Sequence, residues 1–174
     1  MERPPSEAEW SLVLAPLLQR AGRVIESEIS GISMGRTLRT GTRIRIRCED
    51  PSTARCGRVV AIMTGRGLVG HRLVWRGTDR PGRPMVLTRG DGTPICDPPI
   101  REELILGEIT EWYLAPDWCP VPAAQSEPPL RRAVAAAILL AVRLGLAVDV
   151  RVGARAAGLF AAIGRRLGRP GLPA

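Results

Sequence analysis

The amino-acid sequence predicts a mainly β fold: a small antiparallel β domain preceded by a helix and followed by a helical tail. Short alternating or apolar segments recur between clusters of glycine, proline and aspartate, and no long helical pattern separates them. Strands joined by short turns pair in an antiparallel manner, because parallel neighbours need long crossover connections. The 174 residues suffice for one such domain with a modest appendage.

Changes of pattern divide the chain into four parts. They are an N-terminal amphipathic helix, a β domain, a proline-rich linker and a basic, apolar helical tail, over residues 1–28, 29–114, 115–129 and 130–174. The amphipathic pattern of the first part covers about residues 6–28. The tail contains two helix-like stretches, Leu130–Val148 and Val152–Leu167.

Several segments of the second part have strand patterns. In Arg43–Arg47, arginine and isoleucine alternate strictly, which is typical of a half-buried strand with Ile44 and Ile46 facing inward. The other predicted strands are Arg58–Met63, Leu68–Arg76, Met85–Thr88 and Leu104–Leu114.

The basic residues restrict the chemistry that the chain can perform. All 25 are arginine, and His71 is the single histidine. Because arginine does not release its proton near neutral pH, a proton-transfer group must be His71, a carboxylate or a cysteine. A serine–lysine mechanism is excluded. The four cysteines show no C-x-x-C spacing, so with one histidine neither a zinc site nor another metal or cofactor is expected.

Short motifs follow one another through the predicted β domain. They are Ser33-Met34-Gly35-Arg36-Thr37-Leu38, Gly57-Arg58-Val59-Val60, Gly70-His71-Arg72-Leu73-Val74, Thr88-Arg89-Gly90-Asp91-Gly92-Thr93 with Cys96-Asp97, and Leu106-Gly107-Glu108-Ile109. This series resembles the S24/S26 serine peptidase superfamily, and within it the histidine-type branch of archaeal and endoplasmic-reticulum-like signal peptidases. The resemblance covers about residues 31–110. It implies a signal-peptidase/LexA-like β domain with a serine on a loop at the edge of a cleft.

The resemblance also implies roles for individual residues. Ser33 would be the nucleophile, with its backbone N–H as an oxyanion donor, and His71 the base that activates it. A carboxylate on the second ring nitrogen would hold the imidazole in place; Asp91 is the first candidate and Asp97 the second. Arg36, Thr42 and Gly92 stand where the family usually has proline, aspartate and asparagine.

The expected function is therefore that of a serine endopeptidase that cleaves a precursor or leader peptide through an acyl-enzyme. The departures at Arg36 and Gly92 motivate an alternative, a catalytically inactive peptide-binding or scaffold protein on the same fold. A nucleic-acid-binding module is a weaker alternative, and no nucleic-acid partner is expected, because aromatic residues are few and no helix-turn-helix precedes Ser33.

The tail carries most of the net charge. Residues 126–174 hold eight arginines and two acids, whereas residues 1–125 are nearly neutral. Three interpretations stay open: an amphipathic helix pair on an anionic membrane surface, which we favour, a helical hairpin packed on the domain, and a marginal membrane span made costly by Arg143. A cytoplasmic location is expected, with peripheral contact to the inner face of the membrane through residues 130–168.

Overall fold

The computed structural model describes residues 16–64, 67–122 and 129–167. Within these ranges it confirms the mainly β class, because eight strands form one antiparallel sheet with helices before and after it. The strands are β1 (Val24–Glu28), β2 (Arg43–Cys48), β3 (Val59–Thr64), β4 (Gly67–Thr78), β5 (Pro84–Arg89), β6 (Ile100–Arg101), β7 (Ile105–Leu114) and β8 (Asp117–Pro120). The helices are α1 (residues 16–20), α2 (Pro129–Val148) and α3 (Val150–Leu167).

The strand order is β1-β2-β7-β3-β4-β5-β6, and β8 pairs with β7 as a hairpin. Strand β7 is central: its residues 105–108 pair with β3, its residues 107–112 pair with β2, and its residues 111–114 pair with β8. The long strand β4 lies between β3 and β5, with His71 opposite Val60. The sheet thus brings β4 and β5 together.

The alternation of Arg43–Arg47 has the predicted consequence. Ile44 and Ile46 are fully buried, whereas the arginines of β2 face outward and form ion pairs with Glu26 and Glu111. The same core contains Met34 and Leu38, from the loop between β1 and β2. These two apolar side chains fasten that loop to the sheet.

The prediction of one helix over residues 6–28 is wrong for its C-terminal part. Helix α1 ends at residue 20, Gly22 turns the chain with φ +55°, and Val24–Glu28 forms β1; residues 6–15 lie outside the described residues. Strand β1 pairs with β2, so that Ile25 lies opposite Ile46. Exposed and half-buried residues alternate along Val24–Glu28, as expected of an edge strand, and tertiary pairing outweighs the helical pattern that precedes it.

The prediction of a linker over residues 115–129 is also wrong in part, because Asp117–Pro120 forms β8. Pro116 lies just before this strand and Pro120 is its last residue. At these positions, the missing N–H of a proline costs no hydrogen bond in the middle of the strand ladder. Trp118 packs against Tyr113, with ring centroids 5.4 Å apart, and the Arg45 guanidinium lies 3.9 Å from the centroid of the Trp118 ring. Residues 123–128 lie outside the described residues.

The tail folds as a helical hairpin on the β domain, the second of the three interpretations. Ile138, Val142 and Leu146 of α2 share a cluster with Leu87 of β5 and with Trp75 and Ile95. A Cβ on Gly145 would lie 2.9 Å from the Cα of Gly153, so the two glycines let α2 and α3 approach closely at their connection. None of the helices in the described ranges combines the length and the apolar character needed to cross a bilayer.

Candidate active site

The loop between β1 and β2 presents Ser33 to solvent. Its turns are closed by backbone hydrogen bonds from Gly35 to Ile32 and from Thr37 to Met34, of 3.0 and 3.1 Å. Gly35 has φ +58°, a conformation that residues with a Cβ rarely adopt. Because Ile29 before it and Met34 after it are buried while Ser33 is exposed, the chain is anchored on both sides of an accessible hydroxyl.

The Ser33 loop rests directly on the turn that follows β5. The backbone N–H of Gly92 donates to the carbonyl oxygen of Ser33 at 2.8 Å. A Cβ on Gly90 would lie 2.4 Å from that oxygen, and a Cβ on Gly92 would lie 2.8 Å from it. Both positions therefore require glycine in this arrangement, which gives a physical reason for Gly92 where the resembling family has asparagine.

His71 reaches Ser33 from the middle of β4. Its Nε2 lies 2.7 Å from Oγ of Ser33, and its side chain is only 10% exposed. The neighbouring Arg72 points to the opposite face, as alternation along a strand requires. The low exposure of the ring shields the contact between the imidazole and the hydroxyl from bulk water.

Asp97 is the carboxylate that meets the histidine. Its Oδ2 lies 2.5 Å from Nδ1 of His71, and the same oxygen accepts a hydrogen bond from Thr88 Oγ1 at 2.7 Å. The backbone N–H of Asp97 also donates to the carbonyl oxygen of Thr88 at 2.8 Å. Two hydrogen bonds with Thr88 of β5, one donated by each residue, thus hold Asp97 against the imidazole.

The first candidate for this role, Asp91, lies elsewhere, which corrects the order of the two acids. Both ring nitrogens of His71 already face Ser33 and Asp97. The Asp91 carboxylate instead accepts hydrogen bonds from Arg72 Nε at 2.8 Å, from Arg72 Nη2 at 2.6 Å and from Thr37 Oγ1 at 2.7 Å. Asp91 therefore joins the nucleophile loop to the strand that carries the histidine.

The ion pair of Arg72 and Asp91 is almost fully enclosed, with side chains 5% and 10% exposed. Burial alone would raise the pKa of Asp91, but the hydrogen bonds from Arg72 and Thr37 outweigh it and lower the pKa below its ordinary value. Arg72 also donates to the carbonyl oxygens of Gly57 and Pro122, at 2.5 and 3.3 Å. One guanidinium thus ties four segments of chain together beside the site.

The remaining candidates for the chemistry are a backbone N–H and a thiol. The backbone N–H of Ser33 is the expected oxyanion donor. Within the described ranges, it donates no hydrogen bond to another backbone group. Cys96, next to Asp97, is buried, and burial raises the pKa of its thiol to about 11. A thiolate nucleophile at that position is disfavoured near neutral pH.

Sequence reasoning missed Thr88, Arg72 and Thr37 as parts of the site. All three lie inside the motifs that carry the family resemblance, but their roles depend on which strand faces lie together. Thr88 pairs with Leu73 across β4 and β5, so its side chain lies on the same face of the sheet as His71. This shared face can be recognised only when the register of the two strands is known.

Among the described residues, no cluster of three or more histidine, cysteine, aspartate or glutamate side chains could hold a metal ion. Comparisons with protein-family models, with curated proteins and with solved structures found no match. The geometry of the three side chains is therefore the basis for any functional inference. A hydroxyl, an imidazole and a carboxylate in this sequence of contacts are equipped for nucleophilic acyl transfer.

Proposed function

We propose that the protein is a serine endopeptidase that cleaves a precursor or leader peptide through an acyl-enzyme. One observation carries the proposal: Ser33, His71 and Asp97, separated by 38 and 26 positions in sequence, form a continuous chain of contacts of 2.7 and 2.5 Å. A serine is a weak nucleophile without a base, and the base needs an orienting partner. Each requirement has its own residue here.

In the first half of the reaction, Oγ of Ser33 attacks the carbonyl carbon of the scissile peptide bond, while Nε2 of His71 takes the hydroxyl proton. The carboxylate of Asp97 stabilises the imidazolium that forms. The negative charge on the former carbonyl oxygen would be met by the Ser33 N–H. When the tetrahedral species collapses, the C–N bond breaks and the leaving amine takes the proton from Nε2.

In the second half, His71 removes a proton from a water molecule as that water attacks the ester carbon of the acyl-enzyme. The ester C–O bond then breaks, and the proton returns from Nε2 to Oγ of Ser33. A free carboxylic acid leaves, and the site is restored. Water is the only co-reactant that this cycle consumes.

A polypeptide substrate is supported by the open position of the serine. Ser33 lies on an exposed loop, and the preceding Ile32 is 87% exposed, so an extended chain has access from outside. The choice of a precursor or leader peptide rests on the resemblance of the Ser33 and His71 motifs to signal peptidases.

Labelling with a fluorophosphonate tests the nucleophile. Intact mass spectrometry of the full chain should show one adduct, absent from Ser33→Ala and His71→Ala and retained by Ser30→Ala, which removes another exposed serine of the neighbouring segment. Proteome-derived peptide libraries, analysed for new termini, would then report the substrate class. Equal labelling of the wild type and Ser33→Ala would refute the nucleophile.

Two other outcomes correspond to the alternatives. Peptide capture without any Ser33 adduct or turnover would favour the inactive scaffold. Steeply salt-dependent binding to DNA or RNA would favour the nucleic-acid module. Against that last outcome, several arginines of the β domain are paired with acids, as in Arg45–Glu111, Arg76–Glu102 and Arg83–Asp79.

A further inference from the structure

The hairpin of α2 and α3 has a second apolar face that packs on nothing in the described structure. One face of α2, which includes Ile138, Val142 and Leu146, is buried on the β domain. Large apolar side chains nevertheless continue around the helices, with exposures from 41% to 62%: Val134, Leu140, Leu144, Val148, Val152 and Leu159. We call these six residues the outer face. Solvent-exposed apolar residues concentrated in this way indicate an interaction surface.

The outer face has a regular geometry. Leu140, Leu144 and Val148 recur every four residues, so they form one row along α2. This row does not pack on the sheet, because the opposite side of α2 covers Leu87. A surface helix that is apolar on both sides is unusual unless a second apolar surface covers its outer side.

The charged residues near the outer face indicate what kind of surface would cover it. Arg151 and Arg155 are exposed and precede Leu159 at four-residue intervals, so they lie in one row with it along α3; among the described residues neither forms an ion pair. The single acid of residues 132–162 is Asp149, whose carboxylate accepts a hydrogen bond from the Arg151 backbone N–H at 2.6 Å. Arginines flanking a leucine-rich face are typical of helices that lie in the interface of an anionic bilayer.

We infer that the outer face docks on an anionic lipid surface, with α2 and α3 lying along the membrane and the β domain held above it. Self-association through the same face is disfavoured, because it would bring arginines of like charge together. The inference does not depend on the proposed peptidase activity. The hairpin packs on Ile95, two residues before Asp97, so docking would place the hairpin between the bilayer and the acid side of the candidate site.

Flotation with lipid vesicles tests the inference on the full chain. Vesicles of phosphatidylglycerol and phosphatidylcholine at about 1:1 should carry the protein, vesicles of phosphatidylcholine should not, and about 0.5 M NaCl should weaken the binding. Leu140→Gln with Leu144→Gln should lower the partition coefficient by about ten-fold or more. Arg151→Gln with Arg155→Gln should lower it by about five-fold for each arginine.

Matched controls separate docking from a general effect of the substitutions. Val24→Gln with Leu114→Gln removes apolar side chains of comparable exposure, 57% and 55%, from the β domain. Arg39→Gln with Arg80→Gln removes two exposed arginines away from the hairpin. Both pairs should float as the wild type does, and so should Ser33→Ala, which separates lipid binding from catalysis.

Three results would overturn the inference. One is failure of the wild type to float with anionic vesicles, and another is flotation that the Leu140 and Leu144 substitutions leave unchanged. The third is a dimer, detected by light scattering, that these two substitutions dissolve while no flotation occurs; it would assign the outer face to a second copy of the chain.

Discussion

Thr88 donates a hydrogen bond of 2.7 Å to Oδ2 of Asp97, the same oxygen that faces Nδ1 of His71. The acid is thereby held by a neighbouring strand and does not depend on the histidine for its position. Its carboxylate is 31% exposed, against 10% for the His71 side chain, so burial alone does not fix its orientation. A hydroxyl on β5 thus controls a proton-transfer group on β4.

The Thr88–Asp97 contact predicts a graded loss of activity. Asp97→Asn should reduce the turnover number by about 10³–10⁴-fold, because the amide cannot stabilise the imidazolium or hold the reactive tautomer. Thr88→Val keeps the shape of the side chain and removes the donor, and it should reduce turnover by roughly ten-fold. The rate of fluorophosphonate labelling at Ser33 measures both effects.

Thr93→Val serves as the control for Thr88→Val. The Thr93 hydroxyl accepts from the Ile95 N–H in the same turn region but does not contact Asp97 in the described structure. Its labelling rate should equal that of the wild type. If Thr88→Val also labelled at the wild-type rate, the threonine would have no part in orienting the acid.

The ion pair of Arg72 and Asp91 predicts a loss of stability. Asp91→Ala leaves a buried guanidinium without its main partner, and it should lower the free energy of unfolding by about 3–5 kcal/mol. Urea unfolding followed by tryptophan fluorescence measures the change. Exposed pairs provide a contrast: Glu26→Ala at the Arg43 contact should change the free energy of unfolding far less, because water screens that pair.

The same pair predicts the pH dependence of that loss. Because the pKa of Asp91 is lower in the folded chain than its ordinary value of 3.8, the folded state binds fewer protons near that pH. The carboxylate's contribution is complete above pH 3.8 and disappears as the pH falls through the folded pKa. The difference in stability between wild type and Asp91→Asn should therefore shrink only below about pH 4. A difference that stays constant down to pH 2 would contradict the assignment.

The contact between Gly90 and Ser33 predicts that alanine at position 90 displaces the nucleophile loop. The new Cβ would lie 2.4 Å from the backbone oxygen of Ser33, which cannot rotate away as a flexible side chain could. Labelling at Ser33 should fall by about 10²-fold, because a shift of about 1 Å is enough to disrupt attack geometry. Gly158→Ala is the matched control: with nothing within 4 Å, it should label normally and gain up to about 1 kcal/mol of helix stability.

The environments of the thiols predict an order of modification. Cys56 is exposed and should react first with a water-soluble disulfide reagent at neutral pH. Cys48 and Cys96 are buried, and burial raises the pKa of both thiols, so they should react only after denaturant unfolds the chain. Cys56→Ser should remove the fast phase alone. A fast phase that survives Cys56→Ser combined with Cys119→Ser, which removes the half-buried fourth thiol, would place Cys48 or Cys96 at the surface.

The sequence predicted the strands whose patterns are local. Alternation in Arg43–Arg47 and the apolar residues of Arg58–Met63 correspond to β2 and β3. Strand β1 was hidden because only a short turn at Gly22 separates its five residues from a helical segment, and pairing with β2 selects the extended form. Strand β8 was hidden by prolines at its borders, which lower strand propensity wherever the ladder would need their N–H.

The sequence predicts which residue types form the candidate site, but not which aspartate pairs with the histidine. Ser33 and His71 lie within motifs, but no local pattern distinguishes Asp91 from Asp97. The distinction arises from the path of the chain after β5, where the turn at residues 90–93 leads back and the Asp97 N–H reaches the Thr88 carbonyl. It also depends on the register shift between Leu73 and Trp75 in the pairing of β4 with β5, which sequence spacing does not reveal.

The packing of α2 on β5 determines how far the chain can be shortened. A fragment that stops within the proline-rich segment would expose Leu87, which is fully covered when α2 is present, and would remove apolar neighbours of Ile95. Such a fragment would be prone to aggregation, and its acid-bearing turn would lose support from behind. Any minimal version for crystallography or engineering must therefore keep both C-terminal helices.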